Sequence, residues 1–189
     1  LLPHEVIEII QHVQPFNVIP LFHYKDYVYV ERHHSGDLNN RGRSFNIIEG
    51  ELNGDNFKLK AVDKLVDVID FPVYKILVAG DSDYIYENQD LIRGDLANKY
   101  TGLVTGPVAL EFTKKGVDKS YSLDWLAKEV SFTSETVMAF GDGQNDYTLM
   151  EYVGHGVAMG NAVSEIKKIA DAVTLSNLEE GIGIYLNEF

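Results

Sequence analysis

Apolar residues in the first part of the chain, residues 1–114, repeat at spacings that predict helices and strands in a mixed order. Residues 1–14 have helical spacing, with one apolar face formed by Val6, Ile9, Ile10 and Val13. Runs rich in β-branched and aromatic residues predict strands over 16–24, 26–32, 73–80 and 106–116. We also predict helices around 60–69 and over 83–100, and a polar surface loop over 33–45. This part is therefore expected to be a compact α/β unit.

From residue 115 onward, short apolar runs alternate regularly with helical patterns. The predicted strands are 136–140, 155–160 and 171–176, and the predicted helices are 117–130, 144–153, 161–170 and 177–186. Short apolar strands separated by helices indicate a parallel sheet that is covered on both faces. Three strands are few for a doubly wound domain. We therefore predict an α/β protein in which residues 115–189 form a partial doubly wound, Rossmann-like core.

Composition and charge narrow the classes of partner. The 189 residues contain 29 acidic and 16 basic side chains, for a formal net charge of −13. Such a chain repels nucleic acid and anionic membranes, so neither is expected as a partner. There are no cysteines, which excludes disulfides and thiolate metal ligands and fits a cytoplasmic location. No apolar run is long enough to span a bilayer, and no histidine spacing predicts a zinc site.

Candidate chemistry lies where the apolar run 137–140 stops at Gly141-Asp142-Gly143. Ligands bind at the carboxyl ends of the strands in such sheets. Asp142 and Asp146 are four residues apart, a spacing at which like charges on a helix cost about 0.2–0.5 kcal/mol. A Mg²⁺ ion, which takes carboxylates together with substrate phosphate, would reverse that cost. The alternative is that both acids only favour a helix N-terminus. Asn145 adds an amide donor beside an anion-favouring helix start.

The segment "FGDGQNDYTLM" resembles the fourth signature motif of the haloacid dehalogenase-like phosphatases, in particular the Gly-Asp-Gly-x-Asn-Asp pattern of their Cof-type branch. The likeness continues through "GVAMGNAVSEIKKIADAVTLSNLEEGIGIYL". Upstream, "EFTKKGVDKSYSLDWL" resembles the segment of the third motif, with Lys119 at the lysine position and Ser120 where glycine is usual. The resemblance is close over 105–189. Over 1–104 it rests on the element order expected of an inserted α/β cap domain, which makes residues 1–114 the cap.

The resemblance implies a phosphatase that hydrolyses small phosphorylated metabolites, such as sugar phosphates, through a covalent aspartyl-phosphate with Mg²⁺ as cofactor. It implies that Asp142 is a Mg²⁺ ligand and that Asp146 is a second acid at the metal, directly or through water. It also implies that Asn145 contacts the phosphoryl group. Lys119 would pair with the nucleophile carboxylate and the phosphoryl oxygens.

The nucleophile motif of the family, Asp-x-Asp-Gly-Thr after an apolar strand, does not occur in these 189 residues. Asp81-Ser82-Asp83 follows a strand but lacks Gly-Thr and lies inside the cap-like part, so we interpret it as a loop or helix cap. We therefore expect a truncated, inactive form of the enzyme, with self-association through an exposed core edge. Two other functions stay open: a non-catalytic module that binds phosphate or a partner, and a phosphoglucomutase-like transferase.

Overall fold

The computed structural model describes residues 1–54 and 56–189, which divide into two compact units. The first unit is Leu1–Lys115 and the second is Gly116–Phe189. The boundary between the units follows residue 115, one residue after the domain boundary that we predicted from the sequence. That the first unit is a cap and the second a core stays a prediction. Among the described residues, no helix combines the length and the apolar character that a bilayer crossing requires.

A six-stranded sheet forms the centre of the first unit. Its strands are β1 (Ile19–Tyr24), β2 (Tyr27–Glu31), β5 (Lys58–Val62), β6 (Ile76–Ala79), β7 (Tyr100–Gly106) and β8 (Ala109–Lys114). They lie in the order β5-β2-β1-β6-β8-β7, and every pairing is antiparallel except that of β2 with β5. The remaining strands and the α-helices are α1 (Pro3–Val13), β3 (Asp37–Asn40), β4 (Arg43–Asn46), α2 (Ile47–Gly54) and α3 (Ser82–Arg93).

The two faces of this sheet bury different helices, because successive side chains of a strand point to opposite faces. Phe22 and Val78 belong to the cluster that contains the buried faces of α1 and α3. Their neighbours Leu21 and Leu77 belong to the other cluster, with Ile47 and Ile48 of α2. The apolar face predicted for residues 1–14 is therefore confirmed.

Two helix predictions for the first unit are wrong. The helix lies at Ile47–Gly54 rather than around 60–69, where β5 is followed by a 3-10 turn at Leu65–Asp67. β5 is an edge strand that pairs with β2 through its backbone. Because most of its side chains are exposed, its sequence lacks the alternation of apolar and polar residues that predicts a strand. The predicted helix over 83–100 ends at Arg93, and β7 follows.

The predicted surface loop over 33–45 is also wrong, because it contains the hairpin β3–β4. Arg41 and Gly42 form its two-residue turn with φ values of 51° and 81°, as a primed turn requires. Asp81 Oδ1 accepts the backbone N–H of Asn39 at 2.8 Å, and Ser82 Oγ accepts that of Arg41 at 2.9 Å. Asp81 stands just before α3, as interpreted, and it anchors the hairpin.

The second unit contains the parallel sheet that the sequence predicts. β9 (Met138–Gly141), β10 (His155–Ala158) and β11 (Ala172–Val173) lie in the order β11-β10-β9, with both pairings parallel. The helices are α4 (Lys119–Val130), α5 (Tyr147–Tyr152), α6 (Ser164–Ile169) and α7 (Gly181–Glu188). Gly141 pairs with Ala158, so the carboxyl ends of β9 and β10 lie side by side. The α/β class is confirmed.

Candidate active site

The loop after β9 is the centre of the candidate site. A Cβ atom at Gly141 would lie 2.9 Å from Asp146 Cβ and 3.1 Å from Met150 Sδ, distances that real Cβ atoms do not tolerate without a shift. Only glycine therefore allows the strand end to approach the 3-10 turn at Gln144–Asp146, which leads into α5. This close approach brings the loop back over the side chain of Asp146.

Asp146 is buried, at 5% exposure, and its carboxylate has three donors. Oδ2 accepts the backbone N–H groups of Asp142 at 2.9 Å and of Gly143 at 3.2 Å, and Oδ1 accepts Nζ of Lys119. Burial raises the pKa of the Asp146 carboxyl, but the donors, led by Lys119, together outweigh it. The pKa therefore lies below its usual range, and the group is a carboxylate that holds the loop closed.

Lys119 is the first residue of α4. The preceding residue, Asp118, caps this helix by accepting the backbone N–H of Tyr121 at 2.9 Å. The Lys119 side chain is half-exposed, so its ammonium reaches Asp146 while one side stays open to solvent. The structure thus brings together two residues that are 27 positions apart and that the sequence motifs singled out separately.

Asp142 differs from Asp146 because its side chain is exposed. Its Oδ2 accepts Nδ2 of Asn161 at 2.9 Å, and Asn161 Oδ1 accepts the backbone N–H of Asn177 at 3.0 Å. Sequence reasoning did not select Asn161. Its position in "GVAMGNA" could have indicated it, because Asn161 lies in the loop after β10, at the same edge of the sheet as Asp142.

Asn145 lies in the same turn and is partly exposed. Within residues 1–54 and 56–189, its side chain makes no hydrogen bond, which leaves its amide available to a ligand. One loop therefore carries Asp142, Asn145 and Asp146, and Lys119 contacts this loop through Asp146.

The donor set suits a hard cation. Asp142 Oδ1 has no hydrogen-bond partner in the part of the chain that the structure describes, so one carboxylate oxygen is free. Mg²⁺ binds through one or two carboxylates and completes its shell with water and phosphate, which this set permits. Asp146 Oδ2 already accepts two backbone N–H groups, whereas Oδ1 accepts only Lys119, so Oδ1 is the oxygen of Asp146 that could also reach a metal, directly or through water.

Comparison with known proteins adds the family. A family model described as haloacid dehalogenase-like hydrolase matches residues 1–186. The chain is 36% identical over 80 residues to the 5-amino-6-(5-phospho-D-ribitylamino)uracil phosphatase YitU of Bacillus subtilis, which covers 42% of this chain and 30% of that protein. It is 46% identical over 72 residues to the phosphatase YwpJ of the same organism, covering 38% of this chain and 25% of that protein. Each match thus spans less than a third of these relatives.

The fold likeness extends over the whole chain. A haloacid dehalogenase-like hydrolase from Bacteroides thetaiotaomicron superposes with a TM-score of 0.77 at 27% identity, covering 100% of this chain and 67% of that one. This confirms the expected α/β fold class with its Rossmann-like core, while the assignment of residues 1–114 to a cap stays a prediction. The chain belongs to the family of haloacid dehalogenase-like hydrolases, in the Cof-type branch whose Gly-Asp-Gly-x-Asn-Asp motif it carries.

Proposed function

We propose that this chain supplies the lysine and metal-binding side of the active site of a Mg²⁺-dependent phosphatase. The observation that carries the proposal is the pairing of Lys119 with Asp146 on the loop that presents Asp142. A cation, an exposed carboxylate and a free amide are thereby grouped at the carboxyl end of a parallel sheet, where ligands of such sheets bind.

Each residue has a distinct part in this proposal. Asp142 would hold Mg²⁺ through its free oxygen, and the bound ion would neutralise phosphate charge and orient the phosphoryl group. Lys119 would donate to phosphoryl oxygens as a charge-assisted donor while keeping its bond to Asp146. Asn145 would donate from its amide. Asp146 would fix the loop and the lysine, and could reach the metal through water.

The proposed reaction is the hydrolysis of a phosphomonoester in two steps. A carboxylate attacks phosphorus and forms an aspartyl-phosphate, and the ester oxygen leaves with a proton from a second acid. Water then attacks the acyl phosphate, releases inorganic phosphate and regenerates the carboxylate. The 189 residues contain no Asp-x-Asp-Gly-Thr segment, so we infer that the attacking carboxylate comes from outside them and that they are inactive alone.

The substrate class we propose is a small phosphorylated metabolite, with sugar phosphates as the first candidates. The relative that is named for a phosphoribityl compound supports this class, because its substrate is a phosphorylated sugar alcohol joined to a small base. A non-catalytic phosphate-binding module is the second candidate, favoured for these residues alone by the missing nucleophile segment.

Calorimetric titration of the chain with Mg²⁺ tests the metal site. We expect binding that Asp142→Asn abolishes, because the substitution removes the anionic oxygen that would meet the ion. Asp124→Asn is the matched control, since Asp124 is a half-exposed aspartate of the same unit that pairs with Lys128 and accepts the Tyr152 hydroxyl. Equal Mg²⁺ binding by both variants would contradict the assignment of Asp142.

A phosphatase screen separates the enzyme from the binding module. We expect no turnover by the 189 residues and turnover by a chain that also carries an Asp-x-Asp-Gly-Thr segment. In the active chain, Lys119→Ala should lower kcat by about 10²–10³, the usual cost of removing one preorganised donor to developing charge. Turnover by the 189 residues alone would overturn the proposal of an external nucleophile.

A further inference from the structure

A cluster of side chains at the end of β2 in the first unit is not part of the candidate active site. It consists of Glu31, His33 and His34. Each offers one ligand atom, and these atoms all lie within 4.8 Å of one another. The linear spacing did not predict this, because two of the residues are adjacent. The backbone N–H of His34 bonds to the carbonyl of Glu31 at 3.1 Å, and this turn folds both imidazoles back toward the carboxylate.

The Glu31 carboxylate is held in place by the backbone. Its side chain is 17% exposed, and Oε1 accepts the N–H of Leu65 at 2.9 Å. The other oxygen, Oε2, lies 3.6 Å from Nδ1 of His33. Metal-binding carboxylates are commonly oriented by such an outer hydrogen bond, which leaves the second oxygen directed at the ion.

The two imidazoles lie side by side, with ring centroids 4.0 Å apart and planes tilted by 39°. A simple ion pair accounts for the approach of His33 to Glu31. It does not account for His34, a half-buried ring turned toward the same point.

These three residues line a cavity of about 790 Å³, together with Ser35 and Lys64. Two histidines and one glutamate are a donor set of catalytic zinc sites, in which a fourth position stays open to water or a ligand. We propose that Glu31, His33 and His34 bind a divalent transition metal of the zinc class, with its open position toward this cavity.

The geometry needs only a small adjustment. Tetrahedral zinc with bonds of about 2.0–2.2 Å places its ligand atoms roughly 3.3–3.5 Å from one another. The ligand atoms here all lie within 4.8 Å of one another, so no pair must approach by more than about 1.5 Å. His33 can supply this movement by side-chain rotation, because its side chain is 66% exposed.

The test is calorimetric titration of the 189-residue chain with Zn²⁺, together with the visible spectrum of the Co²⁺-loaded chain. We expect one site that Glu31→Gln, His33→Gln and His34→Gln each weaken by about 100-fold or more, since even residues that only orient a ligand cost about 10–100-fold. Gln at position 31 keeps an acceptor for Leu65, and circular dichroism checks that each variant is folded.

One variant serves as the matched control. His23→Gln removes a histidine that pairs with Glu51 at 3.1 Å outside the cluster, and it should keep the Zn²⁺ affinity and the Co²⁺ spectrum of a four-coordinate site. Equal Zn²⁺ affinity in the three cluster variants and the unaltered chain would overturn the proposal. Loss of tight Zn²⁺ binding in Asp142→Asn alone would also overturn it, because the ion would then be bound at the candidate Mg²⁺ site. So would the absence of Zn²⁺ binding by the unaltered chain.

Discussion

At the scale of single residues, Asp142 and Asp146 show that the same side chain four positions apart can have two different tasks. Asp146 is buried and its oxygens are engaged, whereas Asp142 is exposed with one oxygen free. The spacing predicted that both acids belong to one site. Their roles differ because the fold buries Asp146 and leaves Asp142 exposed. Asp146 is buried because the chain turns back and packs against Gly141.

Replacing Asp146 by Asn should destabilise the second unit by about 1–3 kcal/mol, because hydrogen bonds to a charged group are lost or weakened. The pKa of Asp146 is lowered in the folded state, so its contribution is complete above the unfolded pKa of about 4. It is lost as pH falls through the folded value. Denaturant unfolding of wild type and Asp146→Asn should therefore differ at pH 7 and converge in strong acid. A difference that grows with falling pH would contradict this.

At the scale of elements, the boundary between β9 and the following turn depends on a close approach that periodicity does not encode. The apolar run ends at Gly141 in the sequence, but the need for glycine comes from Asp146 and Met150 packed against its Cα. The same limit explains β5, whose pairing with β2 rather than its own pattern makes it a strand.

Gly141→Ala should cost about 1–3 kcal/mol, the usual range for forcing extra atoms into a packed position. It should also weaken the Lys119–Asp146 pair by displacing Asp146. Gly183→Ala is the matched control, because Gly183 lies within α7 with nothing within 4 Å of its added Cβ. That variant should be more stable by about 0.5–1 kcal/mol. Thermal unfolding of both variants measures the difference, and equal destabilisation would argue against the close approach.

At the scale of the whole molecule, the two units differ in how completely their apolar residues are buried. The first has two large clusters on the two faces of its sheet, while the second has one small cluster around Met150 and Ile166. Several apolar side chains of the second unit are strongly exposed, namely Trp125, Val130, Leu178, Leu186 and Phe189. Exposed apolar side chains mark a surface that associates where they form a continuous patch.

We therefore expect the 189-residue chain to self-associate through the second unit as its concentration rises. Sedimentation velocity should show a rising average mass. The emission of Trp125, the sole tryptophan of the sequence, should shift to shorter wavelength as its ring becomes buried. Sulfate should strengthen the association, because it favours apolar burial. A constant monomer mass at all concentrations would refute the expectation.

Local patterns along the chain were enough to predict the parallel β-α alternation of the second unit, the buried face of α1 and the residues of the candidate loop. Each of these features depends on a short period or a short motif. Contacts between distant segments became known only from the folded chain, and they include Lys119 with Asp146, Asn161 with Asp142, and the cluster of Glu31, His33 and His34. The hairpin at 37–46 and the strand at 58–62 likewise came from the fold. Periodicity shows which side chains are buried, whereas packing between distant segments chooses the pairing partners.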